Sequence, residues 1–421
     1  MKHVILGNGP AGVIAAETIR KHAPLDEITL VGDETEPPYS RMAIPYLLSG
    51  NIDENGTYLR KGGDHFAAQK ITQHTGRAKS LDSSIRTILL EDGTALAFER
   101  LLIATGSSPV RPPIEGMDLP GVHPCWTLAD ARKIMALAKP NARVLQMGAG
   151  FIGCIIMEAL VNCGVALSVV EMGDRMVPRM MGEGAGGMIK RWVESKGVKV
   201  YTSSRVEAIK KNGNALSVRL SNGATVDVDL VISATGVKPN IGFLQGSGVA
   251  CAHGVLTDEY LQTNVPGIYA AGDCSETLDL MSGKHVVSAI QPSAADEAIC
   301  AGTNMAGKKL VLRTVTQINV LDTLGLVSSS FGEWQGVPGG EHAQVSDADN
   351  YRFLRLEFDG DVLVGANCVG LTEHVGVLRG LIQSRTKLGR WKERLLQNPL
   401  ALMEAYLATA QLQSARGLKT A

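Results

Sequence analysis

One pattern, present twice, constrains this 421-residue chain more than any other feature. His3-Val4-Ile5-Leu6 reads as a buried parallel strand. It runs into Gly7-Asn8-Gly9-Pro10-Ala11-Gly12, an alanine-rich helix to about Lys21, and a second strand, Ile28-Thr29-Leu30-Val31-Gly32, that ends at Asp33-Glu34. Arg143-Val144-Leu145-Gln146-Met147 repeats the plan. It leads into Gly148-Ala149-Gly150-Phe151-Ile152-Gly153, a helix to about Cys163, and a strand, Ala166-Leu167-Ser168-Val169-Val170, that ends at Glu171. In such a unit the first glycine permits a tight turn and the second lets a pyrophosphate approach the backbone. The third lets helix pack on strand, and the later acid binds ribose hydroxyls. A single copy also fits a structural glycine loop. Two copies, each between strand and helix, make nucleotide binding the reading. Glu171 accepts both hydroxyls of an adenosine ribose and repels a 2′-phosphate, so NADH is expected over NADPH, with Arg175 four residues on as the opposing feature.

Composition agrees. The length corresponds to about three domains. Lys+Arg 41 against Asp+Glu 42 leaves a net charge of −1, so neither nucleic acid nor an anionic membrane is an expected partner. Gly is 47 of 421, against a usual fraction of about 7%, which fits many tight strand-to-helix turns. The seven cysteines form no C-x-x-C pair and the nine histidines show no metal-ligand spacing, so no disulfide framework, iron–sulfur cluster or metal site is expected on the chain. The N-terminus runs straight into the first strand, and the apolar stretch at 147–157 is too short to span a bilayer. A cytoplasmic enzyme without a signal peptide is expected.

Further segments extend the pattern to a family. Leu101-Leu102-Ile103-Ala104-Thr105-Gly106 and Leu230-Val231-Ile232-Ser233-Ala234-Thr235-Gly236 are two copies of a strand followed by A-T-G. Ile268-Tyr269-Ala270-Ala271-Gly272-Asp273 and Pro37-Pro38-Tyr39-Ser40-Arg41 complete the set. Over residues 1 to about 310 the chain resembles the glutathione-reductase-like pyridine nucleotide-disulfide oxidoreductases. It is most similar to the branch of rubredoxin and ferredoxin reductases and the flavin part of NADH nitrite reductase.

The resemblance implies an α/β fold: two Rossmann-like dinucleotide-binding domains and a small C-terminal α/β interface domain with a helical tail. It implies boundaries at 1–112 and 242–309 for a split FAD-binding domain, 113–241 for an inserted NAD-binding domain, and 310–421 for the interface domain. The implied FAD positions are Gly7, Gly9, Pro10, Ala11, Gly12, Asp33, Glu34, Arg41, Ala78, Ala104, Thr105, Gly106, Gly272, Asp273, Gln291 and Pro292. For NAD they are Gly148, Gly150, Phe151, Ile152, Gly153, Glu171 and Gly236. Asp273 would take the ribityl chain, or act only as a cap. Pro292 opens a helix whose N-terminal partial charge would face the flavin N1–O2 edge, or simply starts that helix.

The chain also departs from its relatives. Where disulfide- and peroxide-reducing members carry a redox cysteine in C-A-L-P-Y, it has Met42-Ala43-Ile44-Pro45-Tyr46, and the C-x-x-x-x-C dithiol is missing. Tyr46 stands where ferredoxin reductases often have lysine, Ile155 where they have glutamate, and Trp126 where many have arginine. Thiol chemistry is therefore not expected, and no side chain is expected to act as a nucleophile. Hydride exchange between nicotinamide and flavin leaves electrons that must go elsewhere. The resemblance points to an iron–sulfur protein or subunit, rubredoxin- or ferredoxin-like. The chain would then be the flavin subunit of a larger complex, for example of an aldehyde oxidoreductase type. The alternatives are a free-standing rubredoxin or ferredoxin reductase or NADH oxidase, and a sensor or assembly protein like apoptosis-inducing-factor relatives.

Past Lys308-Lys309 strand-like runs occur at 310–330, 351–358 and 362–369, with Asp359-Gly360 as a hairpin turn, Gly336-Val337-Pro338-Gly339-Gly340 as a loop, and a helix at 373–384. Arg379, Arg385, Lys387, Arg390, Lys392 and Arg394 form a basic segment, either a solvated helix face or a dock for an acidic electron-transfer partner. Asn398-Pro399 is read as a helix start, with Leu400, Met403, Leu407 and Ala410 at helical spacing. That tail would pack on its own domain or join a neighbouring subunit of a homo-oligomer or hetero-complex.

Overall fold

Strand β1 (Lys2–Leu6) is buried from its second residue onward, as an interior strand of a parallel sheet must be. Helix α1 (Pro10–His22) follows, then β2 (Glu27–Gly32), β3 (Ile71–Thr75) and β4 (Arg100–Ile103). The computed structural model describes residues 1–279, 283–312 and 318–417, and of residues 318 and 410–417 only the backbone.

The chain then builds β5 (Val122–Pro124), β6 (Arg143–Met147), helix α2 (Phe151–Asn162), β7 (Ala166–Val170), α3 (Glu183–Ser195), β8 (Lys199–Tyr201) and β9 (Leu230–Ser233). These strands form a parallel sheet in the order β8-β7-β6-β9-β5. The chain returns as β10 (Ile268–Ala270) and α4 (Gln291–Met305). Strand β10 completes the first parallel sheet, β10-β4-β1-β2-β3, with Leu6 opposite Val31 on one side and Ile103 on the other.

Beyond it β11 (Ile318–Thr323), β12 (Leu326–Gly332), β13 (Glu341–Asp347), β14 (Arg352–Asp359) and β15 (Val362–Val369) form an antiparallel sheet. Helices α5 (Val375–Ser384), α6 (Arg390–Gln397) and α7 (Leu402–Gly417) follow. The architecture is two Rossmann-like α/β domains and a small C-terminal α/β domain with a helical tail.

Two compact units result. The first is Met1–Val110 with Trp126–Leu128 and Val237–Val315; the second is Arg111–Cys125 with Ala129–Gly236 and Thr316–Ala421. Buried Asn367 of β15 helps explain why the C-terminal sheet clusters with the second nucleotide domain. Its amide donates to Met180 O (3.0 Å) and accepts from Gly182 N (2.9 Å), so it ties the entry of α3 to that sheet. Trp192 of α3 donates from Nε1 to Thr323 O (3.1 Å). In the first unit small residues let α1 and α4 approach closely: a Cβ on Gly302 would lie 2.9 Å from Ala15 O. The core beneath them contains Ile5, Val13, Leu30 and Leu102.

The two glycine turns are built alike. Gly7 (φ +109°) and Gly148 (φ +98°) occupy a backbone region that favours glycine. Their N–H groups donate to Val31 O and Val170 O, each at 2.7 Å. The third glycine of each turn packs on the first: a Cβ on Gly12 would stand 1.8 Å from Gly7 O, and one on Gly153 would stand 2.5 Å from Gly148 O. The middle glycines, Gly9 and Gly150, face open space: a Cβ on either would have no neighbour within 4 Å.

The strands and helices flanking both turns lie within a residue of their expected ends. The C-terminal region differs more. Of the expected run at 310–330, residues 310–312 form no strand, 313–317 lie outside the described residues, and 318–330 is β11 and β12 joined at Leu324-Gly325. Strand β13 alternates exposed polar residues around buried Ala343 and presents no apolar run to read. The tail helix starts at Leu402, because Asn398 instead forms a turn in which its Oδ1 accepts Leu400 N–H (3.2 Å). Its buried face is Leu402, Ala405 and Thr409, while Leu400, Met403 and Leu407 are exposed. Ala410 lies among the residues whose side chains are not described.

The turns predict a contrast. Gly12→Ala should cost about 3 kcal/mol of unfolding free energy, because a methyl is forced onto a backbone carbonyl. Gly9→Ala, with open space at the same turn, should cost no more than about 1 kcal/mol. Denaturant unfolding of both variants measures this, and equal losses would contradict the close-approach argument.

Candidate functional site

In the first unit the end of the parallel sheet opens into a recess of about 280 Å³, lined by Leu6, Gly7, Asp33, Ala78, Thr105, Asn240 and Phe243, among others. Four residues expected from the sequence, Gly7, Asp33, Ala78 and Thr105, meet there. Thr105 is held by Asn240: its hydroxyl donates to Asn240 O (2.8 Å) and its carbonyl accepts from Asn240 Nδ2 (2.9 Å). Asp33 and Glu34, adjacent in sequence, part company. Asp33 lines the recess and pairs with Arg77 (3.1 Å). Glu34 turns to Tyr39 Oη (2.6 Å) and Arg41 (2.8 Å).

A second cluster surrounds Asp273, which lies three residues beyond the end of β10. Ser107 Oγ donates to Asp273 Oδ2 at 2.8 Å. The Ser107 carbonyl accepts from Trp126 Nε1 (3.0 Å) and from Arg41 (3.3 Å), and the Arg41 guanidinium stacks 5.2 Å from the Trp126 ring centre. Burial raises the Asp273 carboxyl above its usual range, while the Ser107 hydroxyl and the Arg41 charge pull it back. Nearby, Ser40 Oγ donates to Gln291 Oε1 (2.6 Å), and Pro292 lies in the first turn of α4. Gly272 (φ +80°) makes the bend before Asp273, and Gly106 (φ +64°) makes the one before Ser107.

Sequence reasoning missed Ser107 and had noted Trp126 only as a departure. The available signal for Ser107 was its place directly after A-T-G, where a hydroxyl lies one residue past a strand-end glycine.

In the second unit Glu171 faces the glycine turn. Its Oε2 accepts Ala149 N–H (2.7 Å) and its Oε1 accepts Gly173 N–H (2.8 Å). Each oxygen retains a lone pair for a further donor. Arg175 is already engaged: Nε donates to Met181 O (2.9 Å) and Nη1 pairs with Asp174 (2.8 Å). Phe151 and Ile152 are half-buried at the start of α2, and Gly236 (φ +104°) ends the second A-T-G segment. Gln146, buried in β6, was also missed. Its Nε2 donates to Gly148 O (2.9 Å), so a side-chain amide props the turn from below.

The open space over Gly9 and Gly150 and the half-buried, hydroxyl-bonded Asp273 are what an approaching pyrophosphate and a polyhydroxyl chain require. Cysteine chemistry is discouraged. Burial pushes Cys125, Cys154, Cys300 and Cys368 up to about 12 and Cys274 up to about 11, and it also raises Cys163 and Cys251. Met42 is exposed at its position on the first unit. Among the described residues no group of three or more His, Cys, Asp or Glu is placed to hold a metal, and no helix is long and apolar enough to cross a membrane.

The basic segment is partly neutralised within its own domain. Lys392 pairs with Glu341, Arg385 lies 3.9 Å from Asp359, Arg379 donates to Gln383 (3.1 Å), and Arg394 stacks 4.9 Å from the Trp391 ring centre.

Comparison with known proteins places these features. The chain is 33% identical over 405 residues to the NADH-dependent phenylglyoxylate dehydrogenase subunit epsilon of Aromatoleum evansii, covering 95% of this chain and 96% of the relative. It is 34% identical over 320 residues to an NADH oxidase of Methanocaldococcus jannaschii, covering 73% of this chain and 70% of the relative. A chain of the covalent putidaredoxin reductase-putidaredoxin complex shares its fold, with a TM-score of 0.88 over 97% of this chain and 99% of that one at 23% identity. Residues 1–297 match the family described as pyridine nucleotide-disulphide oxidoreductase. The chain belongs to that family and is an oxidoreductase that uses FAD and NAD(H).

Proposed function

We propose that this protein passes electrons between NAD(H) and an iron–sulfur partner as the flavin subunit of a larger complex. The observation that carries the reading is the pairing of two equivalent open glycine turns with thiols that are all shifted away from reactivity. Such a chain is equipped to hold two dinucleotides and to do no disulfide chemistry of its own. The end-to-end similarity to a relative named as a subunit of an NADH-dependent dehydrogenase supports the complex. A free-standing NADH oxidase is the second reading, favoured by the similarity to the M. jannaschii protein.

In this reading FAD occupies the domain made of 1–112 and 242–309, NAD(H) occupies 113–241, and 310–421 serves as the interface domain. When bound, the cofactors supply hydride transfer between the nicotinamide and flavin rings. The chain's residues bind and orient them. Gly7, Gly9, Pro10, Ala11 and Gly12 cradle the FAD pyrophosphate. Asp33 takes the adenosine ribose beside Ala78, and Thr105 lines that recess, set there between Ala104 and Gly106. Glu34 acts at one remove, by holding Arg41 and Tyr39. Asp273, after Gly272, accepts from the ribityl hydroxyls, with Ser107 fixing its carboxylate. Gln291 and Pro292 present the α4 N-terminus, whose partial positive charge suits an anionic edge. In the second unit Gly148, Gly150, Phe151, Ile152 and Gly153 cradle NAD(H), Glu171 takes its ribose, and Gly236 leaves room beside it.

Three measurements test this. Anaerobic mixing with NADH should bleach the flavin rapidly, and an added iron–sulfur acceptor should restore its colour much faster than air does. Reoxidation by air as fast as by the acceptor would favour the oxidase. Asp273→Ala should release most of the FAD on gel filtration; a full flavin spectrum in the protein peak would remove its ribityl role. Glu171→Ala should raise KM for NADH roughly tenfold while changing that for NADPH little, since one charge-assisted hydrogen bond is worth about 1.5–3 kcal/mol. Equal effects on both would deny it the ribose.

A further inference from the structure

The bend at Gly272 is held from α4 as well as from the strand before it. A Cβ on Gly272 would face Ala11 Cβ at 3.2 Å and Ala294 Cβ at 3.7 Å, so the turn lies between α1 and α4. One and a half turns into α4, Glu297 reaches back and accepts the Gly272 N–H on Oε2 at 2.7 Å. Thr277 Oγ1, from the strand Ser275–Asp279, lies 3.5 Å from its other oxygen. Glu297 is 1% exposed, and among the described residues it makes no ion pair. A buried acid without a cation calls for an explanation.

The explanation lies in its neighbour. Asp273 follows Gly272 directly and is itself half-buried, so two carboxyl groups share one poorly hydrated region. Both cannot be charged at low cost. The supporting groups are distributed unequally. Asp273 has the Ser107 hydroxyl and the charge of Arg41, whereas the charged groups acting on Glu297 are Asp273 and Asp296, both negative. Burial is the largest influence on Glu297; with Asp273 it outweighs the Gly272 N–H and raises the carboxyl to about 8.

We infer that Glu297 is a positioning residue of the flavin site, a neutral carboxyl that latches the Gly272–Asp273 turn onto α4 and leaves the pair's single negative charge on Asp273. The inference rests on the proposed role of Asp273 toward the ribityl chain. Its consequence is a pH dependence of definite sign. The carboxyl is raised from 4.5 to about 8 on folding, so the folded state holds the proton more tightly than the unfolded chain. Its contribution to stability is present at low pH, declines as pH rises through that interval, and becomes a full penalty once Glu297 is ionised.

The test compares wild type with Glu297→Gln, which keeps an acceptor for Gly272 and never ionises, and with Glu297→Ala, which removes the latch. Thermal midpoints and the flavin fluorescence released on diluting the holoprotein are followed between about pH 6 and pH 9. Wild type should lose about tenfold in FAD affinity by one pH unit above the Glu297 transition, with a falling midpoint. Glu297→Gln should be flat in both over the same range, and Glu297→Ala should release FAD at every pH. Parallel profiles for wild type and Glu297→Gln would overturn the inference. If Asp273→Ala retains FAD while Glu297→Gln still flattens the thermal profile, the flavin reading of Asp273 fails and the latch stands.

Discussion

Each Rossmann-like domain depends on one close contact, that of the third glycine in its turn against the carbonyl of the first. With a Cβ position 1.8 Å from that carbonyl in one turn and 2.5 Å in the other, no side chain larger than hydrogen fits without moving the helix. The contact sets how near α1 and α2 lie to their sheets, and hence where their N-terminal amides point. The first glycine of each turn is fixed by the same crowding. Its Cβ direction meets Ala104 O at 2.0 Å in the first unit and Ala234 O at 2.4 Å in the second, carbonyls supplied by the A-T-G segments. The motifs at 7–12 and 101–106, and at 148–153 and 230–236, are thus two halves of single packing units. Their joint presence is a spatial requirement rather than two independent signatures.

Around this rigid frame the polar groups of the first unit form a chain of contacts through Ser107. Its hydroxyl serves Asp273 while its carbonyl serves Trp126 and Arg41, and Arg41 carries the contact on to Glu34 and Tyr39. The motif Pro37-Pro38-Tyr39-Ser40-Arg41 is therefore bound to the late acidic motif through a serine that no motif names. The stacking of Arg41 on Trp126 adds a cation–π contribution of about 0.5–2 kcal/mol depending on desolvation. It also keeps the guanidinium charge near the half-buried Asp273, whose carboxyl it pulls back down.

The nucleotide domains were legible in the sequence because their constraints are local. A strand, three glycines and a helix lie within some twenty residues, and the steric reasons for each glycine act over the same span. Ser107 and Glu297 were illegible for the opposite reason. They act through partners that the chain brings near only by folding, whereas Gln146 acts on Gly148 two residues on, where a strand-end Gln has many bland uses. The tail shows a second limit. Leu400, Met403 and Leu407 have correct helical spacing, yet they are exposed while Leu402, Ala405 and Thr409 are inside, where two small residues let the helix lie close to its own domain. Hydrophobic spacing identifies a helix; close packing decides which side of it is covered.

The distribution of ionisable groups gives the arrangement its chemical character. Desolvation raises the buried thiols Cys125, Cys154 and Cys274. The acids, by contrast, are sorted by their partners: Glu171 by two backbone amides, Asp33 by Arg77, Asp273 by a hydroxyl and a nearby guanidinium, and Glu297 by an amide and a hydroxyl with no cation. Oxygen acceptors are what sugar hydroxyls need as donors, while a pyrophosphate, an acceptor itself, is served by the backbone N–H groups at the glycine turns. A protein built this way contributes placement and field, and leaves electron chemistry to what it holds. On the proposed reading, electrons arriving from the nicotinamide leave the flavin for an iron–sulfur centre brought by another protein.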